Sequence, residues 1–229
     1  MPAYKPVTHV IFDMDGLLLD TVGPHLAIHQ SLLAEYGQTC TWYDLIQVMG
    51  HTALETAQEI CRLKSVPVDP EIYQDKVAAL QFSMFPKIGL MRGAERLVRH
   101  LHKHGVPIAI ASGSSQTSFD LKTTSHRELM KLFNPVVLSS SDPEVKAGKP
   151  APDVFLVCAG RFPDKPHSSK CLVFEDAPLG VKAAAAAGMQ CVMVPDPRTD
   201  KSLTEEATLV LESLEDFKPE LFGLPPFNS

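Results

Sequence analysis

The residues of this chain that could do chemistry form four groups, and each group follows a short apolar run. Asp13 and Asp15 follow the first run, Ser112-Gly113 the second, Lys149 the third and Glu175-Asp176 the fourth. Short apolar runs of this kind are typical of buried parallel strands. Because open parallel sheets bind ligands at the carboxyl ends of their strands, we expect the four groups to converge in one site.

The charges of these groups indicate the kind of reaction. Three or four carboxylates packed together repel one another, and each is driven toward protonation. A divalent cation removes that conflict, and oxygen ligands with open positions for water and phosphate suit Mg²⁺ better than zinc. Lys149 and backbone N–H groups supply positive potential for a dianion, and Ser112 supplies a hydroxyl donor. A carboxylate such as Asp13 can attack phosphorus to form an aspartyl phosphate, so the pattern favours phosphoryl-group chemistry.

Asp13 and Asp15 are two residues apart. In an extended backbone, residues at this spacing point to the same side. A turn at this point can then place one carboxylate behind a phosphorus atom and the other beside the leaving group. The spacing therefore suits two carboxylates that act on the same phosphoryl group.

The elements that must position these groups alternate along the chain. Apolar, β-branched runs are separated by helical patterns, which predicts an α/β fold with a Rossmann-like parallel sheet and right-handed crossovers. The predicted strands are 7–12, 106–111, 136–138, 171–174, 191–194 and 208–211, and the helices between them are 94–104, 152–162 and 178–187.

One stretch breaks this alternation. Between about residues 24 and 85 we find no convincing strand, only helical patterns at 24–36, 42–49, 52–64 and 70–84. Gly- and Pro-containing hinges at 20–23 and 86–93 flank it. We therefore predict an α/β core of residues 1–20 and 89–229, interrupted by an inserted helical cap of residues 21–88.

These motifs resemble those of a known family. Residues 12–21 (FDMDGLLLDT) resemble the first motif of the haloacid dehalogenase superfamily, in its Asp-based phosphatase branch. Ser112, Lys149 and Glu175-Asp176 are similar to its second, third and fourth motifs, in the same order. The resemblance covers nearly the whole chain, including the position of the cap. Each motif alone is weakly specific, but four in order form a strong signal.

The resemblance implies catalytic and metal-binding roles. Asp13 is identified as the nucleophile and as a ligand of Mg²⁺. Asp15 is expected to protonate the leaving oxygen, then to activate the hydrolytic water, while its backbone carbonyl contacts the metal. Asp176 is expected to ligate Mg²⁺ directly, and Glu175 directly or through water.

The resemblance also implies substrate-binding roles. Ser112, the backbone of Gly113 and Lys149 are expected to hold the phosphoryl oxygens, and Lys149 to neutralise Asp13. His25, at the cap hinge, occupies a position where related mutases have a histidine. We expect His25 to have a substrate or gating role.

A narrower resemblance concerns the substrate. Residues 48–50, 188–196 and 207–225 are similar to the animal phosphatases that act on pseudouridine 5′-phosphate. The chain departs from that group directly after the Asp-Thr of the first motif, where Val22-Gly23-Pro24 replaces an expected acidic residue. The resemblance implies a Mg²⁺-dependent phosphatase of sugar or nucleoside 5′-phosphates, with pseudouridine 5′-phosphate as the leading candidate.

Other functions stay open. A sugar-phosphate mutase of the same fold would need a long-lived phosphoenzyme protected from water, and product analysis separates it from a phosphatase. A non-catalytic phospho-binding module is a further alternative. Receiver modules place their phosphoacceptor aspartate in mid-chain and lack a helical insertion, and a dehalogenase would need neither Asp15 nor Asp176.

The composition limits partners and compartment. The 229 residues carry a net charge of −6 without a run of Lys or Arg, so we expect no nucleic-acid polymer as partner. No apolar run approaches the ~18 residues of a membrane span, and the opening residues do not form a signal peptide. Five scattered cysteines without a C-x-x-C pair indicate buried thiols in a reducing compartment. We expect a cytoplasmic monomer or weak homodimer that acts on a small phosphorylated metabolite.

Overall fold

A computed structural model describes residues 4–227 and contains one parallel sheet. The strands are β1 (His9–Phe12), β2 (Ile108–Ser112), β3 (Val136–Leu138), β4 (Cys171–Glu175), β5 (Gln190–Met193) and β6 (Leu209–Val210). Their order is β3-β2-β1-β4-β5-β6. The order reverses beside β1, and open α/β sheets bind ligands at such a reversal. Residues 1–3, part of the opening segment for which we expect no signal peptide, and residues 228–229, at the end of the predicted core, lie outside the described residues.

Helices cover both faces of this sheet. The helices are α1 (Val22–Ala34), α2 (Trp42–Ile46), α3 (Ala53–Lys64), α4 (Pro70–Met84), α5 (Ala94–Lys103), α6 (Gln116–Lys122), α7 (Arg127–Met130), α8 (Asp153–Arg161) and α9 (Pro178–Ala186). Because both faces are covered, β1, β2 and β4 are buried along their whole length, and the predicted α/β class is confirmed.

Side chains of the central strands alternate between two apolar layers. Phe12 and Phe174 stack on one face with ring centroids 5.0 Å apart, whereas Ile11 and Val173 face the other layer. The second layer contains small residues of α9, such as the fully buried Ala183, so this helix lies close to the sheet. The paired register of β1, β2 and β4 brings their carboxyl ends to one edge of the sheet.

Some boundaries differ from the sequence predictions. Strand β2 begins at Ile108 rather than at residue 106, because Pro107 has no N–H for the ladder. Helix α1 begins at Val22, inside the predicted hinge, since Pro24 lies in a first turn that needs no N–H partner. Helices α6 and α7 are absent from the sequence predictions, because they are short and lack a long apolar stripe.

The inserted segment is helical, with α1 to α4 following β1 directly. Thr41 and Thr52 begin α2 and α3 with capping boxes, and Asp69 caps α4 ahead of Pro70. Inside the segment His29 Nδ1 lies 2.9 Å from the Tyr73 hydroxyl. Burial, with a smaller effect of the neighbouring His25, lowers the pKa of His29 to about 3, so this ring is neutral. The cap boundaries at 21 and 88 stay a prediction.

Two further features concern the helices and the cysteines. Among residues 4–227, no helix is long and apolar enough to cross a bilayer. All five cysteines are buried free thiols, as the sequence indicates. Burial raises the pKa of Cys171 to about 11, with a smaller contribution from Asp164, so this thiol is unreactive.

Candidate active site

The lysine of the third motif lies against the aspartate of the first. Lys149 Nζ donates hydrogen bonds to Asp13 Oδ1 (2.5 Å), to Glu175 Oε1 (2.6 Å) and to the carbonyl oxygen of Ala111 (3.3 Å). Its side chain is completely buried. Burial alone would lower the pKa of Lys149, but the two carboxylates raise it above its ordinary value. Lys149 is therefore a permanent cation whose three donors are all used.

Three carboxylates face one another around this lysine. One oxygen from each of Asp13, Glu175 and Asp176 lies within 4.8 Å of the others. Burial raises the pKa of Asp13 to about 7, repulsion from Glu175 and Asp15 adds to this, and Lys149 opposes it. Burial and the same repulsion raise the pKa of Asp176. Three buried carboxylates against one ammonium leave negative charge unbalanced.

The carboxylate group fits a divalent cation. Asp176 Oδ2 is buried and has no hydrogen-bond partner among the described residues. An unpaired buried carboxylate oxygen is costly unless a cation coordinates it. Glu175 is different, since its Oε1 accepts from Lys149 and its Oε2 from the backbone N–H groups of Asp176 and Ala177. These bonds give Glu175 an orienting contact with Lys149 in addition to its predicted metal contact.

The position of Glu175 depends on a glycine in α9. A Cβ on Gly180 would lie 1.8 Å from Glu175 Oε1 and 1.9 Å from its carboxyl carbon. No side chain fits there unless Glu175 moves, and Glu175 is fixed by Lys149. Gly180 is therefore required for the position of Glu175 in the site.

We predict that Gly180→Ala destabilises the protein, although alanine is the better helix former. The Cβ would displace Glu175 from Lys149. Overpacking of this kind lowers the free energy of unfolding by about 1–3 kcal/mol. Gly160→Ala in α8 is the matched control, because a Cβ there meets nothing within 4 Å. We expect Gly160→Ala to be neutral or stabilising by up to ~1 kcal/mol. Urea denaturation measures both, and equal stability of the two variants would contradict the prediction.

The second aspartate of the first motif is held by four side chains. Asp15 Oδ2 accepts from the hydroxyls of Ser114 (2.9 Å) and Ser112 (3.4 Å). Asp15 Oδ1 lies 2.7 Å from Lys122 Nζ and 3.7 Å from His25 Nε2. Burial would raise the pKa of Asp15, but Lys122 and His25 hold it well below its usual range. Asp15 is therefore ionised in this arrangement.

His25, in the first part of α1, faces the same carboxylate. Its ring meets Phe85 edge-on, with centroids 5.1 Å apart. Burial lowers the pKa of His25, and the nearby Asp15 carboxylate only partly offsets this. The structure places His25 beside Asp15, and its substrate or gating role stays a prediction.

The residues of the second motif border the same space. Ser112 is fully buried, and its Oγ accepts from the backbone N–H of Ser114 (3.1 Å). The carbonyl of Gly113 accepts from the hydroxyl of Ser140 (2.7 Å). Of the eight predicted site residues, Lys149 and Glu175 lie behind the others. The remaining six line one cavity: Asp13, Asp15, His25, Ser112, Gly113 and Asp176.

This cavity lies between the carboxyl edge of the sheet and the inserted helices. Its volume is about 160 Å³. The helical side contributes both apolar side chains, such as Val22, Leu45 and Met49, and polar ones. The polar lining residues of this side are Thr21, His25, His29, His51, Thr56, Gln74 and Gln81. Buried carboxylates at its base that could hold a metal ion, under a lid of apolar and polar side chains, make it a candidate active site.

Comparison with known proteins identifies the family. The profile of the haloacid dehalogenase-like hydrolases matches residues 10–194. The chain belongs to this family. A probable pseudouridine-5′-phosphatase of Drosophila melanogaster is 50% identical over 224 residues, which cover 98% of this chain and 97% of that protein. (DL)-glycerol-3-phosphatase 2 of Arabidopsis thaliana is 47% identical over 225 residues, covering 97% and 93%.

A solved structure supports the fold assignment. The crystal structure of a HAD hydrolase, family IA, variant 3, from Entamoeba histolytica matches with a TM-score of 0.78. The match covers 94% of this chain and 97% of that chain at 22% identity. Because near-full-length relatives of this haloacid dehalogenase-like chain are named phosphatases, the prediction of a phosphoric monoester hydrolase is confirmed.

In this haloacid dehalogenase-like hydrolase the helical segment is docked on the core. A Cβ on Gly113 would lie 2.5 Å from the carbonyl oxygen of His51, so only a glycine permits this approach. The Ser140 hydroxyl accepts from the backbone N–H of Ala53 (3.3 Å) and donates to Gly113. The structure is thus the closed arrangement, in which the second motif contacts the start of α3.

A second contact joins the helical segment to the core. The indole Nε1 of Trp42 donates to the carbonyl of Arg198 (3.2 Å), whose guanidinium lies 4.2 Å from the indole centre. Asp196 holds this guanidinium through two bonds of 2.8 Å. The contact joins α2 to the loop between β5 and β6.

We predict that Arg198→Ala favours the open arrangement. Loss of a cation–π contact that contributes about 0.5–1 kcal/mol lowers the equilibrium constant for closing of the helical segment about two- to fivefold. Trp42 is the single tryptophan, so its fluorescence emission reports its burial and should shift to longer wavelength. Arg96→Ala is the control, since Arg96 stacks on Phe227 at 4.0 Å instead. We call the Trp42–Arg198 contact the latch; unchanged emission in Arg198→Ala would show that it does not hold the helical segment on the core.

Two residues of the site are missing from the sequence predictions. Lys122 lies at the end of the short helix α6 and is 3% exposed. Ser114 is also buried and contacts Asp15. No motif spacing distinguishes Lys122 from a surface lysine. Ser114 lies in a serine-rich turn whose sequence does not separate a contact with Asp15 from helix capping, and Ser115 is the residue that caps α6.

Proposed function

We propose that the chain is a Mg²⁺-dependent phosphatase that hydrolyses a small phosphomonoester through an aspartyl phosphate on Asp13. The observation that carries the proposal is the buried contact of Asp13 with Lys149, beside Asp176 and at the base of a closed cavity. A carboxylate held by a permanent cation is oriented for attack on phosphorus.

In the first step Asp13 attacks the phosphorus and the ester oxygen leaves. Lys149 offsets the charge that gathers near Asp13, and positioning and charge neutralisation are the main contributions in phosphoryl transfer. Ser112 and the Gly113 backbone border the space for the phosphoryl oxygens. The closed helical segment excludes bulk water during this step.

Asp15 acts as the general acid and general base of the reaction. The ionised state that Lys122 and His25 impose is the form that activates water in the second step. For the first step Asp15 must carry a proton to the leaving oxygen. A dianionic phosphoryl group entering beside it raises its pKa, because like charges disfavour ionisation. Substrate binding thus prepares Asp15 to act as an acid, and loss of the leaving group restores the base.

Asp13 and Asp176 would hold the metal, with Glu175 and the backbone carbonyl of Asp15 as the remaining predicted contacts. When bound, Mg²⁺ supplies charge neutralisation for the carboxylates and the phosphoryl group. The raised pKa values of Asp13 and Asp176 support this need for a cation.

The cavity supports a substrate with a single phosphate. Of the described residues that line it, Lys122 is the one Lys or Arg, and it is already paired with Asp15. A mutase must bind a phosphorylated sugar while Asp13 carries a second phosphoryl group, which calls for another cation. The lining therefore favours a phosphatase acting on a monophosphate with an uncharged leaving group.

The relatives support two candidate substrates. One relative is named for pseudouridine 5′-phosphate and another for glycerol 3-phosphate, at 50% and 47% identity. Pseudouridine 5′-phosphate remains the leading candidate, and Val22, which lines the cavity, is expected to tune the choice. We expect the chain to act in the cytoplasm as a monomer or weak homodimer.

A phosphate-release screen tests the proposal. The purified chain is assayed with Mg²⁺ against pseudouridine 5′-phosphate, glycerol 3-phosphate, other nucleoside monophosphates, FMN, hexose phosphates and p-nitrophenyl phosphate. We expect inorganic phosphate from at least one natural ester, loss of activity with a chelator and recovery with Mg²⁺. An isomerised sugar phosphate would identify a mutase, and no release from any ester would overturn the proposal.

A further inference from the structure

Lys122 is a buried cation that the phosphoryl-transfer steps above do not use directly. It ends α6, and its ammonium contacts residues from three separate parts of the chain. Nζ lies 2.7 Å from Asp15 Oδ1 after β1, 2.9 Å from Ser114 Oγ after β2, and 4.9 Å from the ring centre of Phe85. A lysine is almost never buried unless it is paired, so these contacts explain its position.

The donors and acceptors around Lys122 fix the direction of one hydroxyl proton. An ammonium group can only donate, so Ser114 Oγ must accept from Lys122. The hydroxyl proton of Ser114 is then directed at Asp15 Oδ2, 2.9 Å away. Lys122 thus contacts one oxygen of Asp15 directly and orients the donor to the other oxygen.

Phe85 connects this arrangement to the end of the inserted segment. It is completely buried directly after α4, where the chain returns toward the core. One neighbour of its ring is the Lys122 ammonium, and another is His25, which also faces Asp15. Docking of the helical segment therefore brings Phe85 and His25 against the Lys122–Asp15 pair.

We propose that Lys122 is a positioning residue that holds the Asp15 carboxylate toward the leaving group when the helical segment is docked. It acts through Asp15 on proton delivery to the leaving oxygen and makes no contact with the phosphoryl group. This inference rests on the proposed phosphatase function.

Leaving-group dependence tests this role. A p-nitrophenolate leaves without a proton, whereas an alkoxide needs one, and both esters give the same phosphoenzyme. Lys122→Met keeps the length of the side chain and removes the charge. In single turnovers with enzyme in excess, we expect it to slow cleavage of the best alkyl ester about 100-fold, the lower range of general-acid catalysis. We expect less than about fivefold slowing with p-nitrophenyl phosphate, since no proton transfer is needed.

Three further measurements separate positioning from folding. Lys122→Arg keeps the donors and should recover most of the alkyl-ester rate. In an Asp15→Asn background, Lys122→Met should add almost nothing, because residues that act as a unit are not additive. Ser114→Ala should give a smaller loss with the same preference for the alkyl ester, and it serves as the test if Lys122→Met does not fold.

The outcomes separate this inference from the proposed function. If Lys122→Met lost the same factor in rate with alkyl and aryl esters, or raised KM without changing the single-turnover rate, Lys122 would have a phosphate-binding role and the positioning role would be wrong. An additive effect in the Asp15→Asn background would also overturn it. If wild type released phosphate and Lys122→Met matched it with both esters, the phosphatase function would stand and this inference alone would fail.

Discussion

Asp13→Asn is expected to lower kcat by roughly 10⁴-fold or more, the scale of loss when a covalent catalyst lacks its nucleophile. The amide has the same size as the carboxylate and cannot form the acyl phosphate. We expect no phosphoenzyme when the variant is mixed with p-nitrophenyl phosphate, acid-quenched and analysed by intact mass. Wild type treated in the same way should gain the mass of one phosphoryl group.

The substitution also removes a charge from a crowded cluster. Because Lys149 keeps its contact with Glu175 and the substitution removes repulsion among three buried carboxylates, Asp13→Asn should fold about as stably as wild type in the absence of metal. Asp120→Asn is the matched control, since Asp120 is exposed and its side chain accepts from Gln116 one turn earlier on α6. Full activity in Asp13→Asn, or equal losses in the two variants, would exclude Asp13 as the nucleophile.

Lys149→Met is expected to cost both stability and activity. The ammonium lies between Asp13 and Glu175 with all three donors used, and its removal leaves buried carboxylates unpaired. Breaking a buried ion pair on one side costs about 3–5 kcal/mol. We expect a kcat loss of about 10³-fold or more, because Asp13 also loses its orienting contact. Urea denaturation and phosphate release measure the two effects.

Two variants complete this test. Lys149→Arg should not recover the activity, since a planar guanidinium cannot reproduce three convergent bonds from one nitrogen. Lys131→Met is the control, because Lys131 is exposed and forms a surface pair with Glu128; such pairs contribute ~1 kcal/mol or less. If Lys149→Met unfolded at the same urea concentration as Lys131→Met, the buried charge balance described for the site would be wrong.

Much of the site follows from local sequence. Asp13, Ser112 and Glu175 follow or end apolar runs that read as strands, and parallel strands place their carboxyl ends together. That rule depends only on the alternation of strands and helices, so it predicts that residues from distant positions lie at one edge of the sheet. The helical insertion was equally predictable, because residues 24–85 carry helical patterns and capping residues such as Thr52.

Other features depend on distances between elements that are far apart in sequence. The exclusion of a side chain at Gly180 arises only because α9 lies against Glu175, and the glycine itself carries no such signal. The latch between Trp42 and Arg198 joins residues 156 positions apart. Sequence periodicity reports which face of an element is buried, and it does not report which distant atom that face meets.

The chemical identity of the reacting groups is a local property of this chain. Carboxylates, a lysine and a hydroxyl after successive strands define phosphoryl chemistry, because residue type determines which atoms can attack, donate or bind a cation. Tertiary packing determines the protonation states of those groups and brings Lys122 against Asp15. A pKa depends on burial and on charges a few ångströms away, and both are set only when the folded chain brings α6 and the end of α4 against the first motif.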